Sequence, residues 1–445
     1  MSDLLSLLTV GASAITATNA SIAITTNNVA NVNTPGYSKE RVGDTATGSA
    51  VRLQDPLLAA RIQAASSSLA MSQAFSSALS QLESAVAGGD GTMDEQLGAL
   101  FLKVGQASAS PADQAARDAV VAAARDLVAS IQRRSASVAA TRADADSRIR
   151  TNAAAATGLA KQLAAANTAV AKSSGDPTAL DQRDQLAKQL GQLVGGAARI
   201  DKDGQMRYVL DGGAVLVDGS HAAQLTTTPD ATTGYSKVEV VDGAVRRDVT
   251  SAISGGSIGA DLKFRDQNAA QTAAQIDQFA FDVTTSVNAV HTQNAGLDGV
   301  TGRPMFTPVT QVAGAAQAMA VDPALAADSK LLALAAPGSG PGDNTGALAL
   351  FGLANQTVAS GGTATLGDAA LDVVSHVATA SADAKNDTTR DGLVNDNLAG
   401  LRDSLSGVDT QEELTDLARF EHASTAMGKV VSTLDTMLGT LIDSL

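Results

Sequence analysis

Apolar residues recur at helical seam spacing near both ends of this 445-residue chain, and that pairing limits the possible folds more than any other feature. Leu8, Ile15, Ile22 and Val29 follow one another every seven residues, with Leu5 and Ala12 in intermediate positions. Towards the other end, Leu417, Phe420, Met427, Val431, Leu434, Leu438, Leu441 and Leu445 alternate spacings of three and four, broken only at Ser424. A seven-residue apolar repeat keeps one stripe of a helix facing a partner helix. Termini usually fray in solvent, so seams at both ends predict that the chain works by association through its ends.

Composition narrows the interior and the partners. Hydrophobic residues make up 44% of the chain but aromatics only 2%, with no Trp. Burial therefore rests on Ala, Val, Leu and Ile, which suits closely packed helices better than a large ligand pocket. The formal net charge of −15 argues against nucleic acid, whose phosphates need a basic surface. The basic pair Arg133-Arg134 sits on Ala-rich sequence and is expected on a solvated helix face. Cysteine is absent, which excludes a disulfide-stapled small domain. No stretch is expected to match the ~18 or more apolar residues of a membrane span, so no membrane insertion is expected. The first basic residue is Lys39, so the N-terminus lacks the basic region of a signal peptide. Any export would leave that terminus uncleaved.

The pattern along the chain predicts a mainly α fold with an inserted β domain. Residues 2–31 read as one helix, marginal alone because Thr, Ser and Asn fill its other positions. It ends at Thr34-Pro35-Gly36-Tyr37, where Pro-Gly suits a type II turn with Gly36 at positive φ. Residues 38–65 read as an extended connector and 66–197 as Ala-rich helices, with starts near Ser110-Pro111 and at Asp176-Pro177. Residues 199–260 hold short alternating runs separated by Asp203-Gly204, Asp211-Gly212, Asp218-Gly219 and Asp242-Gly243, a strong hairpin signal. Helix resumes over 262–293, 294–345 is loop-rich, and helix returns from about 346 to the end apart from a Gly-rich break near 360–368. The expected domains are nested: 1–65 with 400–445 as a terminal coiled coil, 66–198 with 262–399 as a helical domain whose 294–345 segment is a reduced outer region, and 199–261 as a β domain.

Catalytic chemistry has little support in this sequence. Gly255-Gly256-Ser257-Ile258-Gly259 matches the nucleophile-elbow string, which leaves a secreted serine hydrolase using Ser257 as a remote alternative. No strand–helix alternation surrounds it, and a turn joining the β domain to the next helix accounts for the same residues. His221, His291, His376 and His422 are scattered without metal-ligand spacing. Asp201 and Asp203 lack the further carboxylates of a calcium loop. No catalytic residue, metal ligand or cofactor is expected.

The stretch Ile24 to Ser38, with Asn27-Asn28-Val29-Ala30-Asn31-Val32-Asn33-Thr34-Pro35-Gly36-Tyr37, closely resembles the N-terminal signature of bacterial flagellar axial proteins. Its Val-Asn-Thr-Pro-Gly-Tyr-Ser form is most similar to the hook-associated members. Gly407-Val408-Asp409-Thr410-Gln411-Glu412-Glu413-Leu414 and Lys429-Val430-Val431 resemble their C-terminal end, and Leu180–Asp184, Ser254–Gly256, Leu262–Asp266, Asn288 with His291, and Gly342–Asn344 agree in order. Lys39 stands where the family often has Arg. The resemblance implies a structural, non-enzymatic subunit of the hook–filament junction, located outside the cell and exported through the flagellar type III apparatus. A hook or rod protein is the alternative. It implies as partners further copies of the chain in a ring or tube, the hook protein, a second junction protein (FlgL-type), and an export chaperone (FlgN-type). The seam residues with Pro35, Gly36 and Tyr37 are then the assembly interface, and Phe420, Met427, Val431 and Leu434 would also meet the chaperone.

Overall fold

The computed structural model describes residues 2–44, 48–89, 91–173 and 175–443. Its helices are α1 (Ser2–Ala30), α2 (Pro56–Ala87), α3 (Met93–Ala107), α4 (Gln114–Lys172), α5 (Pro177–Val194), α6 (Gly256–Lys263), α7 (Ala269–His291), α8 (Ala315–Ala318), α9 (Pro323–Ala327), α10 (Thr345–Gly352), α11 (Leu366–Ser406) and α12 (Thr410–Asp443). Helix accounts for 66% of the chain, with a small sheet region inserted, as the sequence pattern predicts. The residues gather into two compact units: 1–71, 150–259 and 389–445 in one, 72–149 and 260–388 in the other.

The second unit has an aliphatic core studded with the chain's few aromatics: Leu79, Leu82, Leu100, Leu127 and Ile131 are buried with Phe264, Phe279 and Phe306. Between α6 and α7 the backbone passes through one π-helical stretch, Phe264–Asn268. The buried Arg265 there donates to Asp146 at 2.6 Å and to Asp266 at 2.7 Å. The loop-rich segment is ordered by side chains bonded to backbone. Asn288 accepts from the N–H groups of Met305 and Phe306 at 2.8 and 2.9 Å. His291 donates from Nδ1 to the Arg303 carbonyl at 2.7 Å and accepts the Ala333 N–H on Nε2 at 2.9 Å. Burial holds its pKa below the ordinary histidine value.

In the first unit, two antiparallel meanders lie in the β region. One is β3 (Ala197–Ile200), β4 (Met206–Val209), β5 (Val215–Asp218) and β6 (His221–Ala222); the other is β7 (Gln224–Pro229), β8 (Ser236–Asp242) and β9 (Val245–Asp248). (The earlier hairpin β1, Glu40–Asp44, with β2, Ser49–Arg52, opens the strand count.) The four Asp-Gly pairs all fall at the turns between these strands. Asp201 closes its own turn by accepting from Asp203 and Gln205 N–H at 2.9 and 2.8 Å. β8 alternates buried and half-buried residues, as a one-sided strand should. Helix α4 pins this region with polar side chains on an otherwise Ala-rich surface. Asn167 donates to the carbonyls of Met206 and Gly219 at 2.8 and 2.7 Å, and Thr157 exchanges bonds with Leu225 at 2.8 and 2.9 Å. A last hairpin, β10 (Thr357–Ala359) with β11 (Ala364–Thr365), fills the Gly-rich break ahead of α11 in the second unit.

Four expectations change. The connector over 38–65 is a hairpin followed by α2 from Pro56, because Asp55 accepts from Leu57 and Leu58 N–H at 2.8 and 3.2 Å and Pro fits the first helical position. Arg133 is exposed, but Arg134 is buried and donates to the Gly88 carbonyl at 2.5 Å, capping the end of α2. The C-terminal helical pattern is interrupted at Gly407, and α12 restarts behind Asp409, which accepts the Gln411 N–H at 2.9 Å. Residues 6–30 are long and apolar enough, at mean hydropathy 1.5, to cross a membrane. The stretch has no charged side chain, so Ala, Ile and Val outweigh its Thr, Ser and Asn.

Candidate functional site

Helices α1 and α12 pack together in antiparallel sense. Gly11 lies against Val431, Asn19 against Ser424 and Asn28 against Glu413, so position falls along α12 as it rises along α1. Leu8, Ile15, Ile22 and Val29 are all half-buried along this contact, and so are Leu417, Phe420, Met427, Val431, Leu434 and Leu438. Apart from Asp416, Ala423 and Ser424, the other residues of α12 from Leu414 to Thr440 are exposed. One helix has thus covered only part of each seam residue. The side chains of Leu5 and Leu441, and Leu445 as a whole, lie outside the described residues.

The intermediate stripe of α1 differs from expectation. Ala12 is exposed, and Gly11, Thr18 and Thr25 fill the seam between the heptad aliphatics. Thr18 satisfies its hydroxyl within the helix by donating from Oγ1 to the Ala14 carbonyl at 2.8 Å, while Gly11 permits a close approach of α12. Ser424 does not interrupt the seam: it is half-buried and donates to Asn19 Oδ1 at 3.3 Å. With Ser424 included, α12 keeps the alternation of three and four from Glu413 to Leu438.

Where the helix pair meets the signature loop, a polar lock forms. Tyr37 N–H bonds back to the Thr34 carbonyl at 3.1 Å, and Gly36 sits at φ +88°, which is the turn expected of Pro35-Gly36. Pro35 is exposed, while Gly36 and Tyr37 are half-buried. Asn28, 1% exposed, uses its whole amide: Nδ2 donates to the Glu40 carbonyl and to Glu413 Oε2, both at 3.0 Å, and Oδ1 accepts from Tyr37 O–H at 2.8 Å and Glu40 N–H at 2.9 Å. Lys39 pairs with Glu413 at 2.8 Å and Glu412 at 3.2 Å, and its N–H donates to the Ser406 carbonyl. Burial works against the Lys39 charge, but the hydrogen bonds to Glu413 and Glu412 outweigh it and hold its pKa above the ordinary value. Burial pushes the Glu40 carboxyl up, against a hydrogen bond from Asn27, with Asp176 and Asp181 adding to the rise.

The lock continues into α5 and α11. Ser38 donates from its N–H and Oγ to Asp181 at 2.9 and 3.0 Å. Arg52 reaches Asp181 at 2.6 Å and Asp184 at 3.0 Å, and Arg402 donates to the Tyr37 carbonyl at 2.6 Å. Three segments far apart in sequence, 24–38, 180–184 and 407–414, are therefore joined at one place. Sequence reasoning singled out all three by resemblance but gave no partner to Asn28, Glu40 or Glu413. The available signal was positional and lay at Glu413, which occupies the α12 seam spacing where a polar residue needs a partner; Asn28 stands one residue before the seam residue Val29.

The nucleophile-elbow string is not assembled as a catalytic site. Ser257 lies on the first turn of α6, its Oγ accepting from Asn152 Nδ2 at 3.3 Å, and Gly255-Gly256 make the turn out of the β region. Both ring nitrogens of His291 are already held by backbone.

Comparison with known proteins follows the same lines. The family model described as "Flagellar hook-associated protein FlgK helical domain" matches residues 79–306, and one described as "Flagella basal body rod protein" matches 8–37. The chain is 24% identical over 327 residues to flagellar hook-associated protein 1 of Salmonella typhimurium, covering 68% of this chain and 59% of that protein. It is 24% identical over 373 residues to flagellar hook-associated protein 1 of Escherichia coli K12, covering 64% of this chain and 68% of that one. It thus spans only about three fifths of the Salmonella relative's length. The solved flagellar hook junction protein FlgK from Burkholderia pseudomallei superposes with a TM-score of 0.70 at 15% identity, over 78% of this chain and all of that one. At that identity the likeness establishes the fold.

Proposed function

Because the chain belongs to the FlgK family of flagellar hook-associated proteins, we propose that it is a structural subunit of the hook–filament junction. In this reading it sits on the distal end of the hook, outside the cell, and the filament is built upon it. The observation that carries the reading is the half-covered seam of α1 and α12, anchored at one end by the Asn28 lock. Half-buried Leu, Ile and Met side chains at heptad spacing gain further burial when neighbouring copies pack beside them, at roughly 25 cal/mol per Å² of apolar surface covered. Assembly then completes a core that each subunit leaves open. The hook protein and a second junction protein are the partners above and below. Before export, the same face around Phe420, Met427, Val431 and Leu434 is the part of the chain that most needs a chaperone.

Leu438→Asp and Ile22→Asp test this. Each puts a carboxylate into the seam, which costs several kcal/mol where it is left unpaired. Both variants should be exported and fold in the second unit, yet give cells without filaments. Normal swimming by both would exclude the seam as the assembly surface. A pull-down with residues 400–445 tests the chaperone assignment: binding to a chain lacking this segment, and none to the fragment, would place that site elsewhere.

A further inference from the structure

A cavity of about 540 Å³ opens beside the signature loop, within the first unit. Its walls come from that loop, the start of α2, α5, the first strands of the β region and the last turn of α11. Leu58 and Ile62 give it an apolar side with Leu405 at the rim. Lys188 and Arg402 line it with Arg183, which already donates to the Gly204 carbonyl and pairs with Asp184, and the carboxylates Asp55, Asp181 and Asp184 line it too. Arg52, which also lines it, is fully used by Asp181 and Asp184. Lys188 differs: half-buried, it makes no hydrogen bond or ion pair among the described residues. Arg402, on the same lining, is held by a neutral carbonyl, that of Tyr37. Burial and the neighbouring Arg402 both disfavour the ammonium form of Lys188. A half-buried cation without a hydrogen-bond or ion-pair partner favours the entry of a carboxylate.

The same unit offers a complementary feature. On α11, Leu393 is 65% and Val394 48% exposed, and the exposed Asp396 beside them has no ion-pair partner among the described residues. Leu7 and Val10 on α1 and Leu414, Val430 and Met437 on α12 are exposed as well, off the half-buried seam. We propose that the cavity is a socket for the Leu393–Asp396 strip of a second copy of this chain, with Asp396 pairing to Lys188 and Arg402. The contact is heterologous, since socket and plug are different surfaces of one subunit, and such contacts propagate around rings and helical tubes. It also explains how a chain of net charge −15 can place copies side by side: an acid of one meets a cation cluster of the next. The proposal rests on the assembly reading above and adds to it a lateral contact outside the seam.

The test places a genetically encoded photo-crosslinking residue at Gln54, an exposed residue of the cavity rim, and irradiates flagella isolated from cells. The expected product is a covalent dimer at twice the 44.6 kDa chain mass. Lys188→Asp or Asp396→Lys alone should reduce that product at least tenfold, and the two together should restore it. Lys188→Met guards against misfolding: the purified variant should melt no lower than the parent, yet lose the crosslink. A crosslink to a different protein, single variants that keep the dimer, or a charge-swapped pair that melts normally without regaining it would each overturn the socket. Leu438→Asp separates the two claims. If it removes junctions while Lys188→Asp and Lys188→Met leave them and their crosslink intact, the socket fails alone; if Leu438→Asp cells keep junctions, the assembly reading fails as well.

Discussion

At Gly11 the backbone of α1 runs so close to α12 that an added Cβ would stand 2.9 Å from Val431 Cγ2. Glycine costs about 1 kcal/mol relative to alanine inside a helix, so its position at the contact is bought by close approach. The two helices are fitted to each other residue against residue.

That fit makes a specific prediction. Gly11→Ala gains helix propensity but must displace a β-branched neighbour, so its net effect on the monomer should be small. Gly11→Ile should separate the helices and cost about 1–3 kcal/mol. Val431→Ala should restore pairing in the Gly11→Ala background, with a favourable coupling energy in a double-mutant cycle measured by denaturant unfolding of the first unit. Additivity within error would mean that the two positions do not meet.

The Asn28 lock predicts a large effect from a small change. Asn28→Leu keeps the branched heavy-atom shape, with bulkier methyl groups, and removes four hydrogen bonds, leaving Glu413 without its amide donor and the Glu40 N–H and carbonyl without their partners. Buried unpaired groups cost about 1–3 kcal/mol each, so the first unit should lose several kcal/mol while the second melts normally. Equal loss in both units, or none, would contradict the assignment.

Much of this was legible in the sequence, and the failures have physical causes. The seams of α1 and α12, the turn at Pro35-Gly36, the Asp176-Pro177 helix start and the four Asp-Gly hairpins depend on local spacing and dihedral preference, which neighbouring residues carry. Gly11 was missed because a seam is normally read by its large residues, and here the close contact is made by the smallest. The Asp55-Pro56 start of α2 was missed although it uses the same chemistry as Asp176-Pro177. The lock was not legible because Asn28, Glu40, Asp181 and Glu413 come together only after the chain has returned on itself. Nothing in any one segment announces the other three.

Glu40 gives a pH dependence of defined sign. Its carboxyl is raised in the folded state by burial, so the protonated form favours folding. The stabilising effect is full below the unfolded glutamic acid pKa and is lost as pH rises through the folded value. Glu40→Gln, which cannot ionise, should therefore raise the melting temperature above that of the parent at pH 8 and converge with it near pH 4. A lower melting temperature for Glu40→Gln at pH 8 would show that the ionised carboxylate is needed for the lock.

The central claim is that α1 and α12 present a seam that only neighbouring subunits complete. Amide hydrogen exchange, compared between purified subunit and isolated hook–filament junctions, tests it most directly. The account predicts that residues 6–30 and 410–440 exchange much faster than the core of the second unit in the free subunit, and become at least a hundredfold more protected in the junction. Unchanged protection of both helices between the two states would contradict it.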